Sequence, residues 1–148
     1  MTATKHFSSD AEIDFIGHGL LDRSLPKAHW THAGHLAAAV WVIATRKELD
    51  PARDMPDIIR AYNLASGVQN TDTGGYHDTI TQASVRAVRA FLAQQPAGTP
   101  LYAICNALLA TPFGDKGWLL RYWSPDLLFS VAARRGWVAP DLLQLPFD

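Results

Sequence analysis

The sequence predicts an all-α protein, a single-domain helical bundle of about five helices with an aromatic, partly irregular C-terminal segment. Three observations predict it. Apolar residues recur at helical spacing in successive segments, capping residues and Pro or Gly breakers delimit those segments, and no stretch alternates apolar with polar residues as a strand would. A chain of 148 residues has the length for one hydrophobic core, and no linker divides it, so residues 1–148 read as one domain.

The first helix is announced by Ser9-Asp10-Ala11-Glu12, a capping-box pattern in which Ser9 and Glu12 would satisfy each other's free backbone donors. Ile13, Ile16 and Leu20 supply its apolar stripe, Gly17 and Gly19 weaken its second half, and Ser24-Leu25-Pro26 ends it. The second helix, with Thr31 as its expected cap, contains Leu36-Ala37-Ala38-Ala39-Val40-Trp41-Val42-Ile43-Ala44. That run is almost free of polar groups and belongs at the centre of the bundle. Asp50-Pro51 reads as its end.

A third helix is expected from near Asp54 through Ile58, Ile59, Tyr62 and Leu64 to a stop at Gly67, followed by a loop over 68–75 made of turn chemistry. The fourth runs from about Tyr76 to Gln94, with Ile80, Ala83, Ala87, Val88 and Phe91 on one face. The fifth opens at Thr99-Pro100 and closes at Thr111-Pro112. Beyond it come Trp118, Tyr122 and Trp123, a short helix opened by Ser124-Pro125 and closed at Gly136, and a tail whose Leu142, Leu143, Leu145 and Phe147 are expected to pack along the bundle.

The 13 basic and 14 acidic side chains nearly cancel, which leaves no electrostatic footprint for nucleic acid or an anionic membrane surface. No apolar run approaches the roughly 20 residues of a bilayer span, and the start lacks the hydrophobic stretch of a signal peptide, so a cytoplasmic protein is expected. The single cysteine, Cys105, excludes an intramolecular disulfide and a thiolate metal cage. Its apolar surroundings make it inert. There is neither a Gly-Lys-Ser/Thr phosphate loop nor a dinucleotide-binding glycine turn.

Chemistry concentrates in two stretches at predicted helix starts, His29-Trp30-Thr31-His32-Ala33-Gly34-His35 and Tyr76-His77-Asp78. Three residues apart on a helix, His32 and His35 lie about 60° apart around the axis and about one turn apart in height. Both rings can then reach one ion. His77 is the candidate third ligand, and three imidazoles with an open position are the arrangement of a catalytic divalent metal such as zinc, nickel or iron. Asp78 would be a fourth ligand, an orienting acceptor or the catalytic base. Gly34 suggests close approach of a backbone or a ligand to the helix start.

Other groups carry less chemistry. Trp30 and Tyr76 adjoin the histidines and are candidate pocket walls, and one of Arg86, Arg89, Arg121, Arg134 and Arg135 could clamp a carboxylate substrate. His18 with Asp14 and Asp22 reads as a solvated face, and His6 belongs to the N-terminus.

The piece Trp30-Thr31-His32-Ala33-Gly34-His35-Leu36 resembles the DinB/YfiT-like family of metal-binding four-helix bundles. That resemblance implies three histidines around a divalent metal and thiol-dependent transferase, isomerase or hydrolase chemistry. The family's later pair of histidines four apart on one helix is absent here, leaving His77 alone. The pattern Trp-Thr-His-x-x-His-Leu with a later Gly-Tyr-His-Asp-Thr also resembles a bacterial family, and that likeness brings no activity with it. The sequence thus points to a small metal-dependent enzyme acting on a small-molecule substrate. Its rival is a non-catalytic helical ligand-binding or dimerisation module, a homodimer in the latter case, in which the histidines serve helix ends.

Overall fold

Residues 7–147 are described by a computed structural model, and among them the chain forms seven α-helices, three short 3-10 turns and no strand. The helices are α1 (Asp10–Asp22), α2 (His32–Thr45), α3 (Pro51–Ala65), α4 (Asp78–Ala93), α5 (Leu101–Leu109), α6 (Pro125–Leu128) and α7 (Val131–Arg135). His6 lies outside the described residues. Among the described residues no helix is long and apolar enough to cross a membrane.

The all-α bundle expected from periodicity is therefore present, and α2 is its centre. Helices α1, α3, α4 and α5 all contact it, and Leu36 to Val42 are buried without a break. A helix apolar on every side is stable only when enclosed on every side. Gly17 has a purpose that helix propensity hides: a Cβ there would overlap the Trp41 ring. The missing side chain lets α1 lie directly on that indole, which donates its Nε1–H to Asp14 at 3.0 Å.

Several boundaries differ from the sequence reading, each for a local reason. The Ser9 side chain caps nothing, and the Glu12 carboxylate instead accepts from the Ser8 N–H at 2.7 Å. Helix α2 ends at Thr45, and Asp50-Pro51 opens α3 rather than closing α2. The Asp50 carboxylate accepts from the Ala52 N–H at 3.1 Å while proline occupies the first helical position, where its missing N–H costs nothing. Thr99 does not cap α5, since its hydroxyl donates back to the Pro96 carbonyl at 2.7 Å.

The region before Gly136 is two short helices, not one, each capped by its own serine, Ser124 and Ser130. With the turn Trp118–Arg121 they build a second core, in which Trp118, Leu119, Trp123 and Leu128 pack on Ala83 and Ala87 of α4. Helix α4 also sends Val85 and Val88 into the main core. It is thus the shared wall of two apolar clusters.

The tail is stitched to this second core by hydrogen bonds. Trp123 Nε1–H donates to the Val138 carbonyl at 3.0 Å, Thr79 bridges the Gly136 carbonyl and the Val138 N–H, and Asp141 accepts from both the backbone and the hydroxyl of Ser124. Leu145 and Phe147 pack as expected, whereas Leu142 and Leu143 are exposed.

Candidate functional site

The site begins with the way α2 starts. Thr31 has extended backbone and its hydroxyl accepts from the Gly34 N–H at 3.1 Å, so a threonine satisfies one of the free donors of the first turn. Gly34 answers to backbone and not to a ligand, because a Cβ there would overlap the His29 carbonyl oxygen. The two histidines on this turn are left to other work.

His32 Nε2 lies 2.8 Å from the Phe113 carbonyl oxygen, so that nitrogen carries the hydrogen and donates it. The His35 imidazole makes no hydrogen bond among the described residues, while its backbone N–H donates to the Thr31 carbonyl at 2.8 Å. Its ring lies 3.9 Å, centroid to centroid, from the indole of Trp30, whose edge in turn meets Tyr62 at 5.3 Å. The residue is exposed at the cavity, with the Trp30 indole packed against its ring. Desolvation, reinforced by the neighbouring His32, draws its pKa down to about 4. At neutral pH it is an uncharged imidazole.

His32, His35 and Trp30 form one wall of a cavity of about 500 Å³. Ile80 and Ser84 of α4 form another, and Leu119, Leu128 and Phe129 of the C-terminal segment close it. The cavity therefore opens at the seam between the two cores, where neither cluster has atoms to fill the space. It lies within the range of small-molecule sites, roughly 300 to 1,000 Å³.

The start of α4 is built differently. His77 is not inside the helix but caps it: its backbone is extended and Nδ1 accepts from the Ile80 N–H at 3.2 Å. Nε2 lies 2.7 Å from the carbonyl oxygen of Leu128 and donates to it. Both ring nitrogens are consumed by backbone, in the one neutral tautomer that serves both partners. Burial, with the Arg134 cation adding to it, holds the pKa of this imidazole below its usual value.

Asp78, the candidate base, accepts from the Tyr76 hydroxyl at 2.6 Å and from Gln82 Nε2 at 3.4 Å. It does not line the cavity. Tyr76 is likewise absent from the wall, buried under the Arg60 guanidinium, which sits 4.4 Å from its ring centroid.

The structure thus brings His32 and His35 together on one surface and keeps His77 and Asp78 off it. Among the described residues no group of three His, Cys, Asp or Glu side chains is arranged to hold a metal ion. The three-nitrogen donor set expected from the sequence is not offered by this arrangement, because the lone pair of His77 Nδ1 already belongs to α4. Its function is to brace the cavity from behind, since the residue whose carbonyl it holds, Leu128, is in the wall.

Three of the five candidate arginines are occupied elsewhere, and neither Arg89 nor Arg121 lines the cavity. Arg86 stacks 3.9 Å from the Trp137 ring centroid, Arg134 donates to the carbonyls of Gly75 and Tyr76, and Arg135 pairs with Asp72 through two hydrogen bonds of 2.8 Å. The cation in the cavity wall is Lys116, which sequence reasoning passed over. Its one signal was the charged pair Asp115-Lys116 ahead of the apolar run Gly117-Trp118-Leu119-Leu120. Cys105 is inert as expected, with burial pushing its thiol up to about 12. Comparison with known proteins finds no family model, no curated protein and no solved structure that matches the chain.

Proposed function

We propose that this chain is a small-molecule-binding helical domain, with the cavity between α2, α4 and the C-terminal segment as its binding site. The observation that carries the reading is the cavity itself, about 500 Å³ with apolar walls from Leu36, Ile80, Leu119 and Leu128 and a few polar side chains among them, Thr31, His32, His35, Ser84 and Lys116. Apolar surface supplies affinity and sparse polar groups fix orientation, which is the usual division of labour in such sites.

Binding is favoured over catalysis by the ionisation of the wall. A general base works best with a pKa near the working pH, and the His35 imidazole, drawn down to about 4, is a weak one. Asp78 is turned away from the cavity and engaged by Tyr76 and Gln82. No step through a metal is assigned, since the donor set does not fit one.

The test is saturable binding of a neutral apolar fluorophore, N-phenyl-1-naphthylamine, to the purified chain. The expected result is one site per chain, removed by Ser84→Trp, which fills the cavity from α4, with the helical circular dichroism unchanged. Absence of saturable binding, or binding that ignores Ser84→Trp in a folded protein, overturns the reading.

A further inference from the structure

Resting on that reading, we infer that the natural ligand is an amphipathic carboxylate, an apolar body carrying one anionic head, with the head held by Lys116 and the start of α2. The distribution of charge carries the inference. Among the described residues Lys116 is the only one of fixed charge in the wall, and no Asp or Glu shares that wall. Its ammonium makes no ion pair among the described residues, whereas Arg46, Arg53, Arg60 and Arg135 all do.

A second positive feature lines the same cavity. Thr31 and His32, the cap and first residue of a helix of 14 residues, line the cavity, so the positive end of the α2 dipole and its unbonded first-turn N–H groups border it. Thr31 and Gly34 consume one of those donors and leave the His32 and Ala33 N–H groups without an intrahelical partner. An anion there meets a cation, a helix start and two imidazole rings, while the Asp115 carboxylate is tied to the Gly117 N–H at 2.8 Å and lines the adjoining pocket.

The body of the ligand is fixed by what remains. Leu36, Ile80, Leu119 and Leu128 are apolar, and Leu120 and Phe129 continue the same surface out to solvent at 38% and 60% exposure. Exposed large apolar side chains continuous with a cavity extend its apolar surface beyond the enclosed volume. A flexible or aromatic chain attached to the head group would cover them.

Displacement of N-phenyl-1-naphthylamine by octanoate and by 1-octanol, which share a chain and differ in the charge of the head, tests this. Octanoate is expected to bind about tenfold or more tightly than the alcohol at pH 7.5. Lys116→Gln, an exposed change that leaves the fold intact, is expected to remove most of that preference while leaving 1-octanol binding within about twofold. Equal binding of acid and alcohol, or a preference that survives Lys116→Gln, overturns the carboxylate assignment and leaves the cavity reading standing. Failure of the fluorophore and both chains to bind removes both together.

Discussion

The starts of α2 and α4 carry the same kind of residue and put it to opposite uses. Each helix opens on a residue with extended backbone whose side chain accepts from the N–H three positions on, Thr31 from Gly34 and His77 from Ile80. Where a hydroxyl makes that bond, the following histidines project from the first turn and reach a cavity. Where the histidine itself makes it, the ring is spent. A histidine near a helix start is available for chemistry only when another residue does the capping, and Thr31 is what frees His32 and His35.

The sharpest break of that comparison is His77→Ala, which removes the cap of α4 and strands the Leu128 carbonyl. The cap is worth about 1 kcal/mol and the orphaned buried acceptor about 1–3 kcal/mol more, so a loss of about 3 kcal/mol is expected in urea unfolding. His77→Asn, which can still cap, is expected to recover roughly 1 kcal/mol of it. His35→Leu, at the other helix start, is expected to change stability by less than about 1 kcal/mol, since it breaks no hydrogen bond. Equal losses in His77→Ala and His35→Leu would erase the distinction.

Next in size is Gly34→Ala. The added methyl must displace the backbone at His29 and not a yielding side chain, so a destabilisation of about 2 kcal/mol is expected in the same measurement. A neutral or stabilising result would show that His29 gives way freely. Thr31→Ala follows at about 1 kcal/mol.

The comparison also has a pH dependence. His35 and His77 both have pKa values lowered in the folded chain, so below about pH 6.5 the unfolded chain takes up protons that the folded chain does not. Their contribution is complete above pH 6.5 and is lost as pH falls toward about 4 for His35. Urea midpoints at pH 7.5, 6 and 5 should therefore fall, and fall less in a His35→Gln, His77→Asn double variant. A parallel fall in the two proteins would show that neither imidazole is the source.

Much of the bundle was legible in the sequence because it rests on local rules. The unbroken apolar run of α2 could only be central, and the three-residue spacing of His32 and His35 correctly placed both on one surface. Asp50-Pro51 was misread because a proline that stops one helix equally starts the next, and the pair carries both signals at once.

His77 was misplaced for a reason that no local pattern holds. Its role is decided by a carbonyl 51 residues further along the chain, and only tertiary packing brings Leu128 to that ring. The far wall of the cavity was hidden in the same way. Lys116, Leu119 and Phe129 lie in a segment of short turns without a helical period, where spacing says nothing of which side chains face inward.

The claim that His77 is structural while His32 and His35 face a ligand is tested most directly by long-range ¹H–¹⁵N correlation of the imidazoles. Spectra would be recorded on the free protein, then with octanoate, then with zinc. The expected result is a His77 ring fixed as the Nε2–H tautomer in all three, while His35 signals move with octanoate. Movement of all three rings together on adding zinc, with His77 losing that tautomer, would contradict the account and restore the three-histidine centre.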